Sequence, residues 1–372
     1  MYGSSIGNCF RITTWGESHG PALGVVLDGV PAGLSLTEAD FVPYMQRRKP
    51  GQSRFTTARA ESDTVEILSG VFEGKTTGTP LSLLIRNQDH HSADYSNIAD
   101  TFRPGHADLN FTAKYGFRDY RGGGRSSGRE TSARVAAGAV AEKILREVGI
   151  AVSAYTLAIG PYRLNPSELH LEQTYDNALY MPNQDIALKA SAFLEECMKT
   201  GDSAGGIIEC RVDGLPAGIG DPVFEKLDAN LGKALFSIGA VKGVEIGDGF
   251  SAACVNGSEN NDPYIISDGH VTKSSNHSGG ITGGMSDGSP LILRAAIKPT
   301  PSISMEQDTV TKDKAPHKLQ IKGRHDPVIV PRAVVVVEAM TAITVLDAYL
   351  GNMSSRMDHL TAFQEHLKHT SF

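Results

Sequence analysis

The chain carries one pattern twice, and this limits its fold more than any other feature. "GESHGPALGVVLDGVPAGL", residues 16–34, aligns without a gap to "GDSAGGIIECRVDGLPAGI", residues 201–219. "GVFEGKTTGTPLSL", residues 70–83, aligns to "GITGGMSDGSPLIL", residues 280–293, with glycines at the same spacing and then Pro-Leu-x-Leu. A looser third pair, "GRSSGRETSAR" at 124–134 and "GRHDPVIVPR" at 323–332, precedes a long apolar run in each case. Three pairs in one order indicate a duplicated unit. The expected halves are near 1–150 and 195–350, within a single domain spanning residues 1–372.

Each unit reads as α+β. "LGVVLDGV", "TVEILSGVFEG" and "PLSLLIRN" alternate or run apolar between turn residues, as strands do. "SLTEADFVPYMQRR" reads as a helix with a capping box of Ser35 and Glu38. "SGRETSARVAAGAVAEKILREVG" reads as a second helix, capped by Ser127 with Glu130 three residues on. Asp185–Thr200 and Phe224–Phe236 read as helices in the second half. Val334–Leu350 is ambiguous alone, because "VVVV" favours a strand, but the repeat assigns it a helix. Two related sheets packed against helices follow.

The 372 residues, 40% of them hydrophobic, permit a sizeable core. A net charge of −7 argues against a general nucleic-acid coat protein. Cys9, Cys197, Cys210 and Cys254 have no CxxC spacing, so reduced thiols in a cytoplasm are expected, without zinc or disulfides. No signal peptide is evident, and no stretch is expected to supply the about 18 apolar residues that a membrane span needs.

The positive charge is concentrated in two places. "QRRKPGQSRFTTARA", residues 46–60, holds Arg47, Arg48, Lys49, Arg54 and Arg59 without an acid. Residues 103–134 hold a second arginine cluster among glycines, including "RGGGRSSGRE" ahead of the helix. Arginine forks suit phosphate and carboxylate, glycine lets main-chain N–H groups approach an anion, and a helix N-terminus favours one. Neither GxxxxGK[ST] nor a properly spaced GxGxxG occurs, so a standard nucleotide loop is not expected. Histidines flank this region: His106 in "RPGHAD", and His325 beside Asp326 in "RHDP". His90 and His91 lack metal-ligand spacing, and no metal is expected. The second copy of the "GESHG" turn has Ala204 where the first has His19, so the turn itself does not need the imidazole. An anion-binding site with acid–base help follows; the reaction does not.

At these residues the chain resembles the chorismate synthase family. The matching motifs include "GESHG", "RRKPGQS", "RPGHAD", "YRGGGRSSGRETSARVAAGAVA", "VKGVEIGDGF", "SNHSGGITGG", "KPTPSI" and "GRHDP", in order over nearly the whole chain. The resemblance implies a β-α-β sandwich, a homotetramer, and the last step of the shikimate pathway. That step is the anti 1,4-elimination of phosphate from 5-enolpyruvylshikimate 3-phosphate, dependent on reduced FMN (FMNH2) without net redox change. It further implies that His19 keeps the flavin suitably protonated, that His106 protonates the leaving phosphate, and that Asp326 helps remove the ring proton. By the same motifs Arg125, Ser126, Ser127, Gly239, Ala240, Gly283, Lys298, Pro299, Thr300, Pro301, Ser302 and Arg324 contact FMN. Arg48 and Arg54 bind the substrate or NADPH, and Arg129 and Arg134 are substrate or structural ligands. NADPH enters as a possible reductant, and an external flavin reductase is expected because the insertions of self-reducing members are absent.

Two positions depart from the family pattern: Gly239, where Asn is usual, and Pro301, where Ser is common. Two other readings compete. A flavin- or NADPH-dependent oxidoreductase lacks support from a dinucleotide fingerprint, and a polyanion- or RNA-binding module would have few aromatics among its arginines.

Overall fold

The first unit opens with three antiparallel strands, β1 (Ser5–Ile6), β2 (Arg11–Gly16) and β3 (Ala22–Asp28), in a computed structural model that describes residues 3–56, 61–88, 99–321 and 326–370. Helix α1 (Val42–Arg48), strand β4 (Val65–Ser69), the hairpin of β5 (Val71–Phe72) and β6 (Lys75–Thr76), and β7 (Leu81–Arg86) follow. The sheet order is β1-β2-β3-β7-β4. Helices α2 (Asp108–Tyr115) and α3 (Thr131–Glu147) lead to β8 (Ala151–Ile159), β9 (Tyr162–Arg163), α4 (Gln184–Thr200), β10 (Gly206–Asp213), α5 (Leu227–Phe236) and β11 (Val241–Ile246). The short α6 (Gly257–Asn260) and two hairpins come next, β12 (Tyr264–Ser267) with β13 (His270–Lys273), and β14 (Ile281–Thr282) with β15 (Met285–Ser286). They end at β16 (Leu291–Ile297), and the second sheet runs β9-β8-β10-β16-β11. A last hairpin, β17 (Gln307–Val310) and β18 (Pro316–Leu319), precedes α7 (Val330–Asn352) and α8 (Met357–His369).

The two sheets share a register. Leu23, Val25 and Leu27 of β3 face Ile85, Leu83 and Leu81 of β7, while Ile208, Cys210 and Val212 of β10 face Ala295, Leu293 and Leu291 of β16. All are buried, which is the period-two alternation read from the sequence. Helix α3 packs on β3, α7 packs on β8 and β10, and the two helices pack on each other. The helices therefore lie between the sheets, as a β-α-β sandwich requires. Gly138 on α3 makes the close approach possible: a Cβ there would lie 2.3 Å from the Cβ of Ala339 on α7.

Burial on every side explains α7. Val334 to Val337 are all buried, and tertiary packing overrides their preference for strand. At 23 residues, with a mean hydropathy of 1.8 over its most apolar 18-residue window, α7 is long and apolar enough to cross a membrane, against the expectation that no stretch comes near. Of that window 78% is buried inside the fold. Three boundaries also differ from the sequence reading. Ser35 is drawn into an extended pairing with Lys75, so the first helical turn starts at Glu38 and its box is Thr37 with Asp40. Ser127 caps a short 3-10 turn through the Arg129 N–H, but Glu130 turns inward instead of closing a box. The helix expected from Phe224 begins at Leu227.

The helix layer also buries two carboxyls, Glu142 on α3 and Glu338 on α7. Arg47 donates two bonds of 2.8 Å to Glu338, and Tyr44 and Arg146 each donate one of 2.9 Å to Glu142. Burial, and then the charge of Glu338, push the Glu142 carboxyl up from 4.5 to about 8. The folded protein therefore keeps a proton that the unfolded chain releases, and stability falls as pH rises from 4.5 to about 8. Glu142→Gln should flatten that part of a melting-temperature-against-pH curve; an unchanged slope would show that Glu142 does not cause it.

Candidate functional site

The turn between β2 and β3 places His19. The Gly20 N–H donates to the Glu17 carbonyl at 3.1 Å, closing the turn, and His19 Nδ1 lies 3.0 Å from Ser18 Oγ. The imidazole is half-buried and rests on Gly122. A Cβ at Gly122 would stand 2.2 Å from the ring's Nδ1 and Cε1, so the first glycine after Arg121 is room for His19. The His19 charge also helps to hold the Asp119 carboxyl below its usual range, behind the larger effect of the bond from Arg121.

The glycine-arginine loop then runs into α3 as two 3-10 turns, Gly124–Ser126 and Gly128–Glu130. Arg125 donates to Thr14 Oγ1 at 2.7 Å and to the carbonyls of Thr14 and Gly16 at 3.2 Å. Ser126 Oγ donates to the Gly123 carbonyl at 2.7 Å. Arg129 bonds Asn87 at 2.9 Å and pairs with Asp63. Arg48 is buried and spends its whole guanidinium inside the protein: Asp63 at 2.7 Å, the Gly128 carbonyl at 3.0 Å and Thr131 at 3.4 Å. Asp63 thus sits between two arginines, which hold its carboxyl below the usual range despite burial.

His106 lies where the first unit meets the second. Its Nδ1 is 2.9 Å from the Pro104 carbonyl, which can only accept, so Nδ1 carries the proton. Nε2 then accepts from Ser302 Oγ at 2.9 Å. Burial first, and then the charge of Arg103, lower the imidazole's pKa. Arg103 itself is clamped on Asp108 by two bonds of 2.8 Å. Lys298 Nζ donates to the Gly105 carbonyl at 2.9 Å, and Pro301 packs on Gly105. The Thr300 carbonyl accepts from Ser203, in the second copy of the histidine turn, at 2.7 Å. Thr300 Oγ1 is buried without a partner among the described residues.

Asp326 joins the two regions. It accepts from Arg332 at 2.7 Å, and Arg332 Nε donates to the Arg48 carbonyl at 3.1 Å. The next residue, Pro327, accepts from the Ala204 N–H at 2.8 Å. Asp326 is thereby tied to the Arg48 cluster through Arg332, and the chain next to it reaches the Lys298–Ser302 segment through the turn at Ala204 and Ser203. Ala240 is next to that segment: its carbonyl accepts from the Lys298 N–H at 2.9 Å, and it holds a left-handed φ of 73° beside Gly239. Pro299 packs on Gly205. Arg54 and Gly283 lie apart, whereas Arg134 shares Glu130 with Arg125 and Thr14. Arg54 is exposed, paired with Glu195 at 2.6 Å. Arg134 bonds Glu130 at 2.7 Å and Ser237 at 2.6 Å. Gly283 is in the β14–β15 hairpin, ahead of β16, whereas Lys298 follows it; seven strand residues separate those ends by about 20 Å. Arg324, Arg59, His90 and His91 lie outside the described residues.

The arrangement offers a neutral imidazole with a fixed tautomer, a second imidazole on a hydrogen-bonded turn, an acid on an arginine, and a lysine that donates to one main-chain carbonyl. That set can bind an anion and move protons. Sequence reasoning misses Asp63 and Asn87. Neither stands in a motif, and the only hint is an acid directly after a basic segment.

A family model described as chorismate synthase matches residues 10–350. A protein named chorismate synthase from Agathobacter rectalis is 63% identical over 367 residues, covering 99% of this chain and 100% of its own length. One from Lachnospira eligens is 60% identical, covering 98% of this chain and 99% of its own. One from Methanocella arvoryzae is 55% identical, covering 93% and 94%. A crystal structure of chorismate synthase matches with a TM-score of 0.74 at 32% identity, over 98% of this chain and 99% of that one.

Proposed function

The chain belongs to the chorismate synthase family, and from that premise we propose that its reaction runs on reduced FMN held by the loops around His19, Arg125 and Lys298. The enzyme is a lyase of the shikimate pathway acting on a small molecule: it eliminates phosphate from 5-enolpyruvylshikimate 3-phosphate to give chorismate. This membership disfavours both the net-redox and the polyanion-binding readings.

The residues present fit a flavin with an anionic tail. Thr300 Oγ1 is buried without a partner among the described residues, Lys298 brings an ammonium to the same segment, and the glycine-arginine loop carries Arg125, a donor set that suits an anion-bearing group. When bound, reduced flavin supplies an electron-rich ring that eases loss of the phosphate. The protein's own groups handle the protons. His106, with Nδ1–H anchored on Pro104, presents Nε2 to receive the proton that the leaving phosphate takes. Asp326, oriented by Arg332, assists removal of the ring hydrogen, and His19 holds a proton toward the bound ring. Arg48 and Arg129 act by holding Asp63 and the turn, since their donors are engaged inside the protein. Arg54, stacked on the Phe55 ring and tied to Glu195 by an exposed and therefore weak pair, is open to an anion such as NADPH, with an external reductase reducing the flavin.

The assembly belongs to the same reading. Tyr264, Ile266 and Val271 stand exposed together on the two-stranded β12–β13 hairpin, an apolar surface that a neighbouring copy could cover. This supports a homotetramer, and a flavin contact by Gly283 then comes from a neighbouring copy. A cytoplasmic setting accords with four unpaired cysteines.

The observation that carries the cofactor reading is the Lys298–Ser302 segment, with its orphaned hydroxyl, lying against the His106 loop. An anaerobic titration with reduced FMN in the presence of substrate should saturate. Lys298→Ala should weaken binding by about tenfold, the loss of one charge-assisted bond. Failure of the wild-type protein to bind FMN would contradict the reading.

A further inference from the structure

Asn87 stands directly after β7 and is buried. Its amide is fully used. Nδ2 donates to the Glu17 carbonyl at 3.0 Å and to the Gly20 carbonyl at 2.7 Å, on either side of His19. Oδ1 accepts from Arg129 Nε at 2.9 Å, and the main-chain N–H donates to the Pro21 carbonyl at 3.1 Å. Arg129 has only donors, so it decides which end of the amide faces the turn. Arg129 also pairs with Asp63, which pairs with Arg48. One side chain thus ties the histidine turn to the buried ion-pair cluster.

The second copy of the turn shows what the amide is for. Pro21 meets Asn87 in the first sheet as Gly206 meets Ile297 in the second. The second turn has Ala204 in place of His19 and Ile297 in place of Asn87. Main-chain bonds run from the Gly160 N–H to the Gly205 carbonyl at 3.0 Å and from the Ala204 N–H to the Pro327 carbonyl at 2.8 Å, Ser203 Oγ donates outward to the Thr300 carbonyl at 2.7 Å, and among the described residues no side chain donates to the carbonyls of residues 202–205. The turn as a piece of backbone does not need an amide clamp on its carbonyls. The clamp occurs in the copy that carries the imidazole.

We propose that Asn87 is a positioning residue for His19: it fixes the direction of the imidazole through the turn and couples it to the Arg129–Asp63–Arg48 cluster. The proposal rests on the reading that His19 acts in the elimination. It concerns geometry at the turn, and it is measurable without turnover.

The test uses Asn87→Ala and the isosteric Asn87→Asp, which also covers the case in which the alanine variant does not fold. The aspartate keeps an acceptor for Arg129 but sets carboxylate oxygen against the carbonyls of Glu17 and Gly20. Both variants should lower kcat roughly 10- to 100-fold with KM little changed. Nitrogen-15 NMR of the imidazoles, with the His19 signal assigned by its loss in His19→Ala, should show that signal shifted in both variants and the His106 signal in place. Asn87→Ala should add no further kcat loss in the His19→Ala background, because it acts through the ring already removed. An unmoved His19 signal in both variants, or full additivity in the double variant, would overturn the proposal. A wild-type kcat in His19→Ala would instead sink the reading of His19 alone, and the imidazole signals would still decide whether Asn87 holds the turn.

Discussion

Replacing His106 with alanine should lower kcat by about 10²- to 10⁴-fold, the usual worth of a positioned proton donor. The imidazole is the group best prepared for the task. The Pro104 carbonyl fixes its tautomer, Ser302 fixes its other nitrogen, and its loop is held independently by Lys298 on Gly105 and by Arg103 on Asp108. The loop should therefore survive the substitution, and the loss should appear in kcat with little change in melting temperature. His106→Gln should lose as much, because an amide can keep a hydrogen bond to Ser302 but cannot deliver a proton. The pH profiles give a second check. In the free protein burial and the Arg103 charge hold the pKa below its ordinary value of 6.5, so kcat/KM should fall as pH rises through that lowered value. A bound phosphate dianion attracts the protonated ring and offsets the Arg103 charge, so the falling limb of kcat should lie at higher pH. Near-wild-type kcat in both variants would remove His106 from the mechanism.

Gly122→Ala should damage activity far more than stability. The added Cβ falls 2.2 Å from two atoms of the His19 ring, and Gly122 does not adopt a left-handed φ, so alanine is tolerated by the backbone itself. The half-buried imidazole must swing aside. A displacement of about 1 Å at a reacting centre costs on the order of 10²-fold in rate. Turnover measured beside a thermal melt separates the two effects. A normal kcat would mean that the ring's position over the glycine loop does not matter to the reaction.

The strands were legible because their chemistry is local. "LSLLIR" alternates, and Leu81, Leu83 and Ile85 are its buried residues, while "ALGVVLD" is a short apolar run buried from Ala22 to Val25 and at Leu27. The difference between His19 and Ala204 was also visible in sequence, since a repeated turn isolates what only one copy carries. The start of α1 was misread because Ser35 is taken up by pairing with Lys75, forty residues on. Helix α7 could be assigned only through the repeat, since four successive valines become helical when buried on all sides. The arginines were the least legible. Their clustering reads as a surface waiting for an anion, yet Asp63, Asp108, Glu130 and Glu338 take up the forks of Arg48, Arg103, Arg134 and Arg47 inside the fold. A pairing such as Arg47 with Glu338 joins positions far apart in sequence, and no local pattern announces it. Asn87 escaped notice for the same reason: its three amide contacts are set by the folding of β7 against the histidine turn.

The central claim is that this set of contacts eliminates phosphate with a reduced flavin and no net oxidation. The most direct measurement is anaerobic. Purified protein is mixed with 5-enolpyruvylshikimate 3-phosphate and FMN, either oxidised, reduced by dithionite, or oxidised with NADPH, while chorismate absorbance and phosphate release are followed. The expected result is equal formation of chorismate and phosphate with pre-reduced FMN only, the reduced flavin remaining reduced. Turnover with NADPH and oxidised FMN would overturn the need for an external reductase. No chorismate from folded, flavin-binding protein under any of the three conditions would contradict the account.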